Sequence, residues 1–354
     1  MSNILHIGLP KTATSTLQRY VFPILQEKEI VIFNEKEVTQ LTRKHLSIGL
    51  SSEERIKLSN LLSRGKNLIS DESLVGRDPH EWKQRAERLF DLYGKETIVV
   101  ITVRDLKSLY TSYYIQALQE NNIVEPEDFF VTASEYENIK KICSYPYINR
   151  VLDVDTFDIQ NLYEYYTENF KKVYLVDIKE INKFNFLREN MTISDDILSQ
   201  ISNQFSKVND NISYSRLGVE ITLRRERILR ALNLQSFSPV SSITPKEMLA
   251  HQSDQNFNIN IKQNIFLRVL SKILLLHWRR FIQGTIDKYF RYEKYTLPLS
   301  IYLNDNLIQK NNAFIKNHLP KSEDEISTKL YLVNQYGSNI SRNGWCSFCT
   351  VHCK

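Results

Sequence analysis

The chain has 354 residues, 42% of them hydrophobic and 25% charged, which is enough apolar material to bury a sizeable core. Its net charge of +5 is modest for this length and gives no footing for nucleic-acid binding. The most apolar late segment, 265–282, carries Arg268, Lys272, His277, Arg279 and Arg280, too many charges for a membrane span.

In chain order, the first apolar run (Ile4, Leu5, Ile7) predicts a strand over 3–8 that stops at Gly8-Leu9-Pro10. A hydroxyl-rich segment then opens a helix expected over 16–27. Strand, tight turn and helix together point free backbone N–H groups and a positive helix end at a bound phosphate. Lys11 lies inside the turn, and Thr12, Thr14, Ser15 and Thr16 add hydroxyl donors. The order is not that of an ATP-type P-loop, G-x-x-x-x-G-K-[ST], in which Lys follows the second glycine. Here Lys11 comes three residues after Gly8, and Ala13 stands where a second glycine would be. The same run, broken by His6, Gly8, Pro10 and Lys11, does not read as a signal peptide.

Further strands are expected at 30–33 and 67–70, the latter delivering Asp71-Glu72-Ser73 to its end. A carboxylate at a strand tip suits general-base work, while Asp, Glu and Ser also start helices by capping. After a helix at 79–93, Thr97-Ile98-Val99-Val100-Ile101-Thr102-Val103 reads as a strand buried on both faces. It ends at Arg104-Asp105, before a helix at 106–120. Arg104 therefore belongs at the carboxyl end of a central strand, where open α/β sheets bind ligands. Ser112, eight residues on, is about two helical turns later and can face the same ligand.

A helix at 158–169 and a strand at 172–177 complete an alternation that argues for a parallel sheet covered on both faces. Helices are expected at 196–206 and 214–233, a break at 235–242, and a polar irregular stretch at 243–258. They resume over 262–290, 304–317 and 322–334. The 265–282 stretch reads as an amphipathic helix packing on the core, its alternative being peripheral contact with an anionic lipid surface.

Two basic stretches stand out, one with Arg216, Arg224, Arg225, Arg227 and Arg230, the other with Arg268, Lys272, Arg279, Arg280, Lys288 and Arg291. They read as solvated faces balanced by Glu220, Glu226, Asp287 and Glu293, or as a cationic rim for an anionic ligand. Cys143 stands alone, and Cys346, Cys349, His352 and Cys353 crowd the last residues. C-x-x-C is half of a zinc pattern, but a structural site draws its second pair from a separated segment, so a reduced tail with no metal is expected.

Three of these segments share one resemblance. Pro10-Lys11-Thr12-Ala13-Thr14-Ser15-Thr16-Leu17 resembles the 5′-phosphosulfate loop, P-K-T-G-T-T-x-L, of sulfotransferases that use 3′-phosphoadenosine 5′-phosphosulfate (PAPS). Arg104-Asp105-Leu106-Lys107-Ser108-Leu109-Tyr110-Thr111-Ser112-Tyr113-Tyr114 resembles that family's 3′-phosphate motif, R-[ND]-P-x-x-x-x-x-S-x-Y, departing from it at Leu106. Ser70-Asp71-Glu72-Ser73-Leu74 matches the form S-x-E-x-L around the family's catalytic Glu.

The resemblance covers residues 1–190 and implies a P-loop-like three-layer α/β fold, a central parallel sheet flanked by helices, with a helical C-terminal extension. Residues 1–205 would form the PAPS-binding core and 206–354 the helical part of the same domain that covers the acceptor site, with a Cys-rich tail at 342–354. By the same resemblance, Lys11, Thr12, Ala13, Thr14, Ser15 and Thr16 hold the 5′-phosphate and sulfuryl group, and Arg104 and Ser112 hold the 3′-phosphate. Lys11 and Glu72 are the implied catalytic residues, with Asp71 the competing base. The implied activity is sulfuryl transfer from PAPS to a hydroxyl, most closely a carbohydrate hydroxyl, in the cytoplasm and without a metal. The rival classes are a nucleotide-dependent kinase with an atypical P-loop and a catalytically silent relative that binds a partner.

Overall fold

The computed structural model describes residues 3–120, 122–142, 150–206, 213–231 and 278–318. The main sheet is built from β1 (Ile4–His6), β2 (Ile32–Phe33), β3 (Asn67–Ser70), β4 (Ile98–Val103) and β7 (Lys172–Asp177). Its strand order is β2-β3-β1-β4-β7, and every pairing is parallel. Parallel strands are joined by crossovers that cover both faces, so their residues become apolar throughout. β4, Ile-Val-Val-Ile-Thr-Val, is buried at all six positions. A separate parallel pair joins β5 (Phe130–Val131) to β6 (Leu152–Asp153), two short strands with no counterpart in the sequence reading.

Helices flank the sheet. On one face Leu17, Phe22 and Leu25 pack with Phe184, Leu187 and Ile201 against Ile4, Leu68 and Val100 of the strands. The helix Trp82–Tyr93 packs on Ile159–Asn169, and the Trp82 ring meets the Phe157 ring edge-on at 4.8 Å. Each such side chain contributes on the order of 1.5–3 kcal/mol by leaving water. The architecture is thus the α/β one expected, with a five-stranded parallel sheet between helices.

Several element boundaries differ for identifiable reasons. The helix expected at 16–27 is two helices, Thr14–Tyr20 and Phe22–Glu27, because Pro23 lacks the N–H that would continue the ladder. Helices Lys36–Ile48 and Ser52–Leu62 occupy a stretch to which the sequence reading assigns nothing. The second opens on a capping box: Glu54 N–H donates to Ser51 Oγ at 3.3 Å, and Ser51 N–H donates to the Glu54 carboxylate at 3.0 Å. The expected helix at 214–233 is found as Arg216–Ala231, and that at 304–317 as Asp305–His318. Of 262–290 only 278–290 is described, and it contains a π-helical turn, Ile282–Ile286. The break at 235–242, the stretch at 243–258, the helix at 322–334, Cys143 and the Cys-rich tail lie outside the described residues. Among the described residues no helix is long and apolar enough to cross a membrane.

Candidate functional site

β1 lies between β3 and β4, and the chain runs first to one side of it (β2, β3) and then crosses to the other (β4, β7). In open parallel sheets such a reversal leaves a crevice beyond the carboxyl ends of the strands. Register decides what reaches it. His6 lies beside Ser70 of β3 and Val100 of β4, so the turn after β1, the Asp71-Glu72 turn and Arg104 all emerge at the same edge.

The turn itself is tightly specified. The ladder to β4 continues past β1, with Ile7 N–H donating to Val100 O at 2.9 Å and Leu9 N–H to Thr102 O at 3.3 Å. Gly8 is required by space: a Cβ there would lie 1.9 Å from Thr14 Oγ1 and 2.8 Å from Thr102 Oγ1. Lys11 (φ 67°) and Ala13 (φ 65°) both take the left-handed conformation. A left-handed residue followed by a right-handed one turns successive N–H groups toward one concave side, the geometry that favours anions. Ala13 caps the helix Thr14–Tyr20 without a side-chain acceptor. The N–H groups of Ala13, Thr14 and Ser15 have no acceptor among the described residues.

Lys11, Ala13, Thr14, Ser15, Thr16, Glu72, Arg104 and Ser112 line one cleft of about 270 Å³. Arg104 Nη1 donates to Ser112 Oγ at 3.1 Å and to Lys11 O at 3.2 Å, tying the end of β4 to the turn after β1. Its Nε is buried without a partner, as are Thr14 Oγ1 and Gln116 Oε1 in the same cleft. Burial pushes the Lys11 ammonium below its usual pKa, with Glu72 opposing that shift. Burial likewise pushes the Glu72 carboxyl above the ordinary carboxylate value, opposed by Lys11 and Arg77. The two groups therefore face one another across a partly desolvated space, each favouring the other's charged form.

Asp71 and Glu72, adjacent in sequence, are separated by their hydrogen bonds. Asp71 Oδ1 accepts from Ser73 N–H at 2.9 Å and its Oδ2 accepts from Arg43 Nε at 2.6 Å, so it caps the turn and holds an ion pair. Glu72 lines the cleft, and its carboxylate takes no hydrogen bond from the described residues. Thr12 also parts from its neighbours. Its hydroxyl donates to Leu9 O at 2.5 Å and meets Thr102 Oγ1 at 2.8 Å, fully buried beneath the turn and away from the cleft.

A polar network supports the site from below. Thr102 Oγ1 lies 3.3 Å from His6 Nε2, and His6 Nδ1 lies 2.7 Å from Ser70 Oγ, which also accepts from Gln18 Nε2 at 3.1 Å. Burial lowers the His6 pKa to about 3, so the ring is neutral and bridges β1, β3 and β4 as a hydrogen-bonding spacer. At Leu106, where the resembled motif has proline, the backbone N–H that proline would lack donates to Asn312 Oδ1 at 3.2 Å. The next residue back, Asn311, accepts from Ile159 N–H at 2.5 Å, so the helix Asp305–His318 docks on two other helix starts.

The sequence reading missed three residues of the cleft: Gln116, Ile178 and Ser213. Gln116 was findable, since it lies one turn beyond Ser112 on the same helix face. Ile178 follows the last residue of β7 and so belongs to the same sheet edge. Nothing local marks Ser213. Of the basic stretch on Arg216–Ala231, Arg216 pairs with Glu220 at 3.0 Å, and Arg227 forms a two-pronged pair with Glu125 at 2.8 and 2.9 Å. Arg225 stacks 4.2 Å over the Trp278 ring. Those arginines are largely engaged by the protein itself. Among the described residues no cluster of three His, Cys, Asp or Glu is placed to hold a metal ion.

Comparison with family models, with curated proteins and with solved structures returned no match.

Proposed function

We propose that the protein is a sulfotransferase that moves a sulfuryl group from PAPS to an acceptor hydroxyl, on a carbohydrate. The observation that carries this reading is the convergence of Lys11, Glu72, Arg104 and Ser112, drawn from three separate segments, on one cleft at the carboxyl edge of the sheet. The strand order, with the anion-favouring turn directly after the central β1, supports a P-loop-like layout without the P-loop's Gly-Lys-hydroxyl order.

The residues present fit an adenosine bisphosphate bearing a sulfuryl group. Thr14 Oγ1 and Arg104 Nε are buried donors without partners among the described residues, open to a water or a ligand atom. Gly8 leaves room for the turn to fold back over Thr14 and present its N–H groups. Ala13, Thr14 and Ser15 N–H and the Thr16 hydroxyl suit the 5′-phosphate, and Arg104 with Ser112 suits the 3′-phosphate, for which a guanidinium fork is apt. Thr12 contributes only by bracing the turn.

PAPS supplies an activated sulfur whose bond to the 5′-phosphate oxygen breaks as the acceptor oxygen bonds to it. Glu72 takes the acceptor's proton, and Lys11 neutralises the charge left on the phosphate oxygen. The products are a sulfate ester and adenosine 3′,5′-bisphosphate. A carboxyl with a raised pKa holds that proton more firmly, which favours its role as base in the transition state. Little covalent work falls to the protein, so placement of the two reactants accounts for most of the catalysis.

The test is a thermal-shift comparison of adenosine 3′,5′-bisphosphate, AMP and Mg-ATP at equal concentration, since only ligands of the native state raise Tm. The bisphosphate should give much the largest shift. Equal shifts for bisphosphate and AMP, or a larger one for Mg-ATP, would refute the reading and favour a kinase.

A further inference from the structure

Glu72 lines two depressions. One is the cleft already described; the other, of about 430 Å³, shares Glu72 with it and is also lined by Pro10, Arg43, Gly76, Arg77 and Arg85. If Glu72 takes a proton from the acceptor while the donor fills the cleft, the second depression is the space left from which the acceptor reaches Glu72. Its walls then set the acceptor class, an inference that rests on the sulfotransferase reading.

The three guanidiniums are not equivalent. Arg85 is spent within the protein: Nη1 donates to Ser73 O at 2.9 Å, while Nε and Nη2 donate to the Glu81 carboxylate at 3.0 and 2.7 Å. It braces the turn, and Gly76 makes room for it, since a Cβ at that position (φ +75°) would lie 2.6 Å from Arg85 Nε. Arg43 uses only Nε, on Asp71, so both of its Nη groups are free among the described residues. Arg77 uses only Nη2, on Glu120 at 3.3 and 3.5 Å, so its Nε and Nη1 are free likewise. The acids Asp71, Glu81 and Glu120 each hold one guanidinium in place, and among the described residues Glu72 is the only acid that lines the depression itself.

Two fixed, half-exposed guanidiniums with open N–H edges beside a proposed base suit a planar or tetrahedral oxyanion on the acceptor. We infer that the second depression is the acceptor subsite, and that Arg43 and Arg77 select a saccharide carrying an acidic group, a carboxylate or sulfate ester, near the hydroxyl presented to Glu72. A neutral sugar leaves those donors to water and gains nothing from them.

Three disaccharides of one backbone distinguish the cases: a uronate, its neutral methyl ester and a sulfate ester. Binding is measured by calorimetry with adenosine 3′,5′-bisphosphate saturating the cleft. At least one acidic probe should bind tenfold or more tightly than the methyl ester, and whichever binds better names the oxyanion. Arg43→Gln and Arg77→Gln should each bring that ratio down severalfold, the double variant to near one, while affinity for adenosine 3′,5′-bisphosphate stays within about threefold. Equal affinity for acid and ester, no binding of either acidic probe, or a preference that survives the double variant would overturn the inference. Failure of adenosine 3′,5′-bisphosphate itself to bind would instead overturn the sulfotransferase reading, so the two failures are distinguishable.

Discussion

Arg104→Ala is the sharpest perturbation of the cofactor reading. In the proposed complex the guanidinium meets the 3′-phosphate, and a charge-assisted hydrogen bond of this kind is worth about 1.5–3 kcal/mol. At about 1.4 kcal/mol per factor of ten, adenosine 3′,5′-bisphosphate should bind about tenfold to 150-fold more weakly. AMP, which lacks the 3′-phosphate, should change little. One complication is visible in the geometry: Arg104 Nη1 also holds Lys11 O, so its loss loosens the turn proposed to bind the 5′-phosphate. Ser112→Ala isolates the effect, because it removes a proposed donor to the 3′-phosphate while leaving the Arg104–Lys11 bond in place. A neutral hydrogen bond of about 0.5–1.5 kcal/mol corresponds to about two- to twelvefold, again for the bisphosphate alone. Isothermal titration at fixed, low ionic strength is the assay, since salt screens such contacts. If both variants weaken bisphosphate and AMP equally, Arg104 and Ser112 merely support the turn and the 3′-phosphate assignment is wrong.

Other outcomes follow from the same geometry. Glu72→Gln should lower turnover by roughly 10²–10⁴ with bisphosphate affinity nearly kept, whereas Asp71→Asn, which retains the capping acceptor, should be mild; the reverse pattern in a steady-state assay would move the base by one residue. Because burial raises the Glu72 pKa, its contribution to stability is full below the ordinary carboxylate range and falls as pH rises through the raised value, so Glu72→Gln should gain Tm over wild type as pH increases toward neutrality. His6 runs the other way: with its pKa near 3 against an ordinary 6.5, its stabilisation is present above 6.5 and lost as pH falls toward 3. That loss is on the order of 5 kcal/mol, and a His6→Gln variant, though weaker at neutral pH, should show a flatter acid limb in denaturant melts. Gly8→Ala should cost about 1–3 kcal/mol through collision with Thr14, while Ala13→Gly should raise stability by up to about 1 kcal/mol by relieving the left-handed strain, both read by chemical unfolding.

Local chemistry made much of this chain legible. The apolar run of β4, the Gly8-Leu9-Pro10 stop and the strand tips at Glu72 and Arg104 are features of contiguous residues, whose periodicity and turn chemistry act over a few positions. That is why three segments could be nominated before any fold was known; that they serve one site is what the sulfotransferase resemblance implied. The helices Lys36–Ile48 and Ser52–Leu62 were not read from the sequence, although the Ser51–Glu54 capping box marks the start of the second.

Tertiary structure decided the rest. Whether Asp71 or Glu72 faces the cleft depends on Arg43, which lies 28 residues away in sequence and claims Asp71. Thr12 looks equivalent to Thr14, Ser15 and Thr16 as a string, but Thr102 on the neighbouring strand draws its hydroxyl inward. Leu106 breaks the motif locally, yet Asn312, 206 residues on, accepts the hydrogen bond that proline would not offer. In each case a polar group was committed by a distant partner that a folded interior obliges it to find, since an unpaired buried donor or acceptor costs about 1–3 kcal/mol. The sequence named the candidate residues; the sheet register and those long-range bonds chose which of their atoms remain free to meet a ligand.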